Sequence, residues 1–224
     1  MSLLLRIVIS SMLGIVAFAV LLFVPAGTLD YWQGWTLLAV FAVMSLAPTM
    51  FLNRVDPAAI ERRTHAGVKA ETRPTQKVVI AGTFLVFGAM LVVPALDYRF
   101  GWSHVPGWLS VVGDVMVAAG LGLAMLVVFQ NRYASANITV EEGQPLVSTG
   151  LYGIVRHPMY FGNTILMIGI VLALGSYWSL LLVPIGLLLM VARILDEEKL
   201  LNAELDGYRQ YTRKVRYRLV PLIW

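Results

Sequence analysis

The 224-residue sequence contains no cysteine. Disulfides, thiolate metal sites and a cysteine nucleophile are therefore excluded, while the compartment stays open. Charge is scarce: 13% of residues are Asp, Glu, Lys or Arg, against about 25% in soluble domains. A water-facing surface needs charge, so the deficit points to a membrane solvent. The three histidines form no His–His or His–carboxylate pair at metal-ligand spacing, and no metal is expected. No strand pattern and no Gly-x-Gly-x-x-Gly after a strand are present, which excludes a Rossmann-type nucleotide site. Repeats and low-complexity tracts are missing as well. The first apolar run is too long for a signal peptide and lacks a small-residue cleavage pattern.

What is present is hydrophobic length, with 58% of residues apolar. Crossing the hydrocarbon core takes about 20 apolar residues. Residues 7–29 and 31–53 each hold 23 residues without a charge, and 78–96 holds 19. Between Arg99 and Arg132 the only ionisable groups are His104 and Asp114, so a fourth span fits at 108–129. Residues 158–192 run 35 positions without a charge. As one helix that run would measure about 52 Å at 1.5 Å per residue, far beyond a core of about 30 Å. Gly175-Ser176 at its midpoint marks a turn, giving a tight hairpin with two short limbs. The expected fold is an all-α polytopic membrane bundle of about six segments, the last two a hairpin. A charged stretch from Asp196 to Tyr217 follows. There Leu201, Leu205, Tyr208, Thr212 and Val215 recur at helical spacing, which predicts an amphipathic C-terminal helix, interrupted at Gly207.

With six segments, the termini and the even-numbered connections share one side. That side carries 16 of the 17 Lys and Arg residues, all but Arg99. Basic residues favour the cytosolic side, so both termini are expected there. The net charge of +4 then reads as a topology signal, with attraction to anionic headgroups as a by-product. Nucleic acid is not an expected partner, and the oligomeric state is open. Small residues such as Ala118 and Gly122 suit close helix packing, within a chain or between chains. Two internal connections are long. Residues 54–77 mix both signs and contain Asp56-Pro57, a good start for a surface helix. Residues 131–157 end in Gly143-Gln-Pro-Leu-Val-Ser-Thr-Gly-Leu-Tyr-Gly153, whose Gly and Pro suit a tight, irregular backbone. The chain divides at about residue 130 into an N-terminal set of helices and a 131–224 region that holds the motifs, within one structural unit.

Three motifs stand out. Arg156-His157-Pro158-Met159-Tyr160 places Pro at the first turn of a helix. It is either a helix start at the membrane surface with Arg156 on phosphate headgroups, or one wall of a polar pocket with His157 and Tyr160. Such boundary signals are common, and the residues alone favour the former. Arg193 and Glu197, four apart on one helical face, followed by Glu198, are either an interfacial ion pair or a site. In the functional reading a carboxylate holds a cationic ligand and an arginine forks a substrate carboxylate. Gly207-Tyr208…Tyr211, then Val215 and Pro221, read first as the apolar stripe. Asp114 lies near the outer boundary and is expected at a solvated helix end. His65 and His104 are expected to be solvated loop residues.

In order and spacing, these blocks resemble the isoprenylcysteine carboxyl methyltransferase and phospholipid methyltransferase superfamily of integral membrane enzymes. The resembling text is Pro145-Leu-Val-Ser-Thr-Gly-Leu-Tyr-Gly-Ile-Val-Arg-His-Pro-Met-Tyr-Phe-Gly162, a hairpin, Arg193…Glu197-Glu198, then Gly-Tyr…Tyr…Val…Pro. The resemblance implies an S-adenosylmethionine-dependent methyltransferase of a multi-pass membrane, such as a bacterial inner membrane, with the donor bound on the cytosolic side. It implies donor contacts from Gln144, Pro145, Leu146, Val147, Tyr152, His157, Pro158, Met159, Tyr160, Glu197 and Glu198. Arg193 would orient the acceptor, a lipophilic molecule entering sideways from the bilayer. A carboxylate acceptor, isoprenylcysteine-like, needs no general base. A phospholipid amine is the alternative acceptor. A transporter should instead show internal symmetry or midplane polar groups, and the first four spans carry almost none.

Overall fold

The computed structural model describes residues 3–55, 73–133, 140 and 143–224. The surface helix expected from Asp56-Pro57, and His65, lie outside the described residues. Seven α-helices are present among them: α1 (Leu3–Ala26), α2 (Trp32–Val55), α3 (Pro74–Phe100), α4 (Gly107–Gln130), α5 (Pro158–Ala173), α6 (Leu182–Glu204) and α7 (Tyr208–Lys214). Short 3-10 turns at Gly150–Gly153 and Trp178–Leu181 precede α5 and α6. The described residues contain no β-strand.

Among the described residues, five helical stretches are long and apolar enough to cross a bilayer. α5 is shorter, with 16 residues, or about 24 Å at 1.5 Å per residue. The 7–29, 31–53 and 78–96 runs each lie mainly in one helix and the 158–192 run is divided between α5 and α6, with some helix ends extending into the flanking polar residues. α3, for example, adds Lys77 at one end and Asp97 and Arg99 at the other. Leu85 (75% exposed), Leu188 (70%) and Val24 (68%) would be a liability in water. Facing acyl chains they cost nothing, and the polar backbone is satisfied inside each helix.

α4 and α5 run antiparallel and make the most extensive helix contact of the bundle. Glycine permits it. A Cβ at Gly113 would sit 2.2 Å from the Ala173 backbone nitrogen, and one at Gly120 would lie 2.7 Å from the Gly162 carbonyl oxygen. Gly169 faces the Val117 nitrogen at 2.8 Å in the same sense. Two glycines seven apart on each helix therefore form one seam of backbone-to-backbone packing, the small-residue mode of membrane helices. Gly122, expected to serve such a role, meets only the Met44 side chain at ordinary distance. Gly120→Leu is expected to force the two backbones apart at a cost of about 3 kcal/mol or more. It should be read as a lowered thermal midpoint in detergent. A midpoint equal to wild type would show that the seam can give.

The hairpin turns where Gly175 adopts φ +72°. Asp97, 1% exposed, fixes that turn. Its carboxylate accepts hydrogen bonds from the Ser103 amide (2.6 Å), the Ser103 hydroxyl (2.7 Å) and the Ser176 hydroxyl. The buried Tyr31 donates its hydroxyl to the Leu174 carbonyl at 2.6 Å. Asp114 departs from expectation. It is buried in α4, one turn from the buried Ser110, with Thr36 of α2 as a side-chain hydrogen-bond partner. α2 covers this end of α4, so the acid is enclosed by helices rather than solvated. His104 is exposed, as expected.

The expected amphipathic C-terminal stretch, interrupted at Gly207, is two helical pieces. α6 continues without interruption from the apolar span to Glu204, and Gly207 (φ +80°) opens α7 after a break. Val215 lies beyond α7, yet it packs with Tyr208 and Tyr211 against Leu146, Leu201 and Leu205. The apolar stripe is real, but a bend at Leu205–Gly207 folds it into a corner, because a left-handed glycine cannot continue a helix.

Candidate active site

That corner closes one side of a cleft at the end of the bundle where α5 begins and α6 leaves the apolar span. Its empty space is about 810 Å³, solvent at the mouth included. Residues 144–147 and Tyr152 form one wall, the start of α5 from His157 to Tyr160 a second, and Glu197 with Leu201 and Leu205 a third. Tyr208 and Tyr211 of α7 complete it.

Local chemistry explains the walls. Gly150 takes φ +61°, and a Cβ there would lie 2.7 Å from the Gln130 side-chain oxygen. The left-handed backbone favours glycine here, and the Gln130 side-chain carbonyl accepts the Leu151 amide at 2.9 Å. Tyr152 is then held by the Asn131 amide on its hydroxyl (3.2 Å) and by the Tyr211 hydroxyl on its carbonyl (2.7 Å). Pro158 opens α5 after a non-helical His157 (φ −125°, ψ 64°), since proline fits the first helical turn and disfavours a helical residue before it. The C-terminal tail crosses beneath this start. Its Tyr217 and Arg218 carbonyls accept the Arg156 and His157 amides, each at 2.9 Å.

Two polar networks share this region. In the first, Glu198 is buried and gathers Arg156 (3.0 Å), His157 Nε2 (3.3 Å) and Arg218 (2.9 Å). It ties α6, the start of α5 and the tail together. In the second, the Tyr160 hydroxyl donates to Glu197 at 2.6 Å and accepts from Arg193 Nε at 2.9 Å. The ion pair expected along one face of α6 is thus bridged by a phenol from α5. Burial pushes the Tyr152 phenol up to about 12, with the Glu197 charge adding to the effect and the Asn131 hydrogen bond opposing it. Burial, followed by the charges of Glu198 and Glu197, also raises Tyr208. Burial raises Tyr211 as well. These phenols are neutral at physiological pH and present hydroxyls, not phenolates. The Tyr208 hydroxyl is buried at the cleft without a hydrogen-bond partner among the described residues.

Of the sequence-predicted residues, Gln144, Pro145, Leu146, Val147, Tyr152, His157, Pro158, Met159, Tyr160 and Glu197 line this one cleft. Arg193 stands behind Tyr160, and Glu198 is turned away from the cleft toward Arg156, His157 and Arg218. Sequence reasoning missed Asn131, Tyr133, Arg156, Leu201, Leu205, Tyr208 and Tyr211 as lining residues. For Tyr208 and Tyr211 the helical stripe is the available signal. By itself it reads as packing, although a tyrosine on an apolar face still has a hydroxyl to place.

The cleft sits where α5 begins, beside α6, and the sequence around it matches a known family model. Residues 108–205 match the phospholipid methyltransferase family. The fold matches as well. The solved eukaryotic intramembrane Ras methyltransferase, an isoprenylcysteine carboxyl methyltransferase, aligns over 100% of this chain and 88% of its own, with a TM-score of 0.50 and 17% identity. No curated protein sequence matches the chain. Residues 108–205 thus resemble a phospholipid methyltransferase family, and the chain as a whole shares its fold with a membrane methyltransferase.

Proposed function

We propose that the protein is an S-adenosylmethionine-dependent methyltransferase that methylates a carboxylate on a lipophilic acceptor. Its nearest chemical analogue would be the isoprenylcysteine carboxyl group that names the structural relative. The observation that carries this reading is the junction in the cleft: Glu197 and Tyr160 line it, and Arg193 is hydrogen-bonded to Tyr160 directly behind. One carboxylate and one arginine, joined through a single phenol, match the two opposite charges such a reaction must place.

The cleft fits the donor. Glu197 is an anion for the ammonium or sulfonium of the methionine part. Leu146, Val147, Leu201 and Leu205 offer apolar walls. S-adenosylmethionine supplies an electrophilic methyl on a cationic sulfur, which becomes a neutral thioether when the C–S electron pair returns to it. A carboxylate acceptor is already ionised and needs no base. The protein's task is then to align the acceptor and exclude water, with Arg193 as its counter-charge. The distribution of Lys and Arg along the sequence supports a cytosolic cleft. The position at the end of the apolar spans lets a soluble donor and a membrane-dissolved acceptor each arrive from its own solvent.

Labelled methyl transfer into farnesylcysteine analogues and into total lipid tests the reading. Alkali-labile label, released as methanol, is the expected ester. Alkali-stable label in a phospholipid headgroup would instead establish amine methylation, the reaction suggested by the name of the matched family. Glu197→Gln is expected to weaken S-adenosylmethionine binding about tenfold or more, as for loss of a charged hydrogen-bond partner. Calorimetric titration showing wild-type affinity in this variant would remove Glu197 from the donor site.

A further inference from the structure

We infer that Gln76, in the first turn of α3, is a positioning residue that sets the orientation of Arg193. The inference rests on the methyltransferase reading above. Gln76 is fully buried. Its amide nitrogen donates to Asp196 Oδ2 at 2.6 Å, and its amide oxygen accepts from Arg193 Nη1 at 3.3 Å. The other oxygen of Asp196 is taken by Arg73 at 2.8 Å. The amide can point only one way. Turned over, its oxygen would oppose a carboxylate and its NH2 a guanidinium, and the low dielectric of a buried site makes both clashes costly. Asp196 thus fixes Gln76, Gln76 holds one arm of the Arg193 fork, and Tyr160 holds its Nε. A guanidinium gripped at two of its nitrogens has a defined plane, so the positive charge behind Tyr160 is held at one place and in one orientation.

The polarity of this relay can be reversed, and that supplies the test. Gln76→Leu should lower kcat/KM for the acceptor about ten- to a hundredfold, the scale of a lost hydrogen bond to a charged group. The S-adenosylmethionine Kd should not change. Gln76→Glu sets two carboxylates against each other and should lower both the acceptor kcat/KM and the thermal midpoint. Adding Asp196→Asn to Gln76→Glu restores donor against acceptor throughout. The amide introduced on α6 can donate to the carboxylate introduced on α3, while its oxygen still accepts from Arg73. The double variant should regain most of both losses. Additive losses in the double variant would overturn the inference, as would parallel loss of donor affinity and acceptor kcat/KM in Gln76→Leu. Wild-type protein with no methyl transfer at all would sink the methyltransferase reading and this inference with it. An active wild type together with a fully active Gln76→Leu would sink this inference alone. The thermal midpoints report the amide polarity independently of any turnover.

Discussion

Arg193→Ala is expected to lower turnover at least about a hundredfold, the scale of losing a positioning charge, while leaving S-adenosylmethionine affinity near wild type. Arg193 does not line the cleft. It reaches the site through the Tyr160 hydroxyl, its Nε donating at 2.9 Å. Removing it leaves the cleft walls and Glu197 in place but takes away the counter-charge for an ionised acceptor. Arg193→Lys should rescue little, because an ammonium cannot engage Tyr160 and Gln76 in the geometry of the planar fork. Steady-state kinetics beside calorimetric donor titration separate the two effects. Equal loss of donor affinity and turnover would reassign Arg193 to the donor.

Glu198→Ala should cause the largest loss of stability, together with a loss of donor affinity even though Glu198 does not line the cleft. Its carboxylate, with 7% of the side chain exposed, is shared by Arg156, His157 and Arg218. The Arg156 side chain is itself only 8% exposed, so the variant strands a buried cation. Breaking such a pair by removing one partner costs about 3–5 kcal/mol. The damage is local to the site as well. Arg156 and His157 are the residues whose amides the tail carbonyls hold, and both line the cleft. A lowered thermal midpoint with weaker donor binding is the expected pair of results. Glu198→Gln keeps an acceptor for the arginines and should fall between Ala and wild type. A wild-type midpoint in Glu198→Ala would show that the cluster does not hold the three segments together.

The bundle was legible because charge-free length is read directly from sequence: the shorter runs each lie mainly in one helix, and Gly175 turned the hairpin where the 35-residue run required it. The cleft was legible wherever a motif is local, as from Gln144 to Tyr160. Long-range pairing was not. Asp97 reaches Ser176 across 79 positions, and Gln76 reaches Arg193 across 117; neither pairing leaves a mark in periodicity. Asp114 looked solvated because sequence gives depth along one helix and not the helix laid over it. Glu197 and Glu198 are adjacent in sequence, but successive helical positions point about 100° apart. One therefore faces the cleft and the other a buried arginine cluster. The bend at Leu205–Gly207 turned what reads as a surface stripe into a wall.

The central claim is that this cleft is a methyl-donor chamber. Isothermal titration of the purified protein with S-adenosylmethionine, and with its demethylated product, tests it most directly. Saturable binding of both in the micromolar range, weakened in Glu197→Gln and retained in Arg193→Ala, is the predicted result. Absence of binding heat and of thermal stabilisation by either ligand in folded wild-type protein would contradict it.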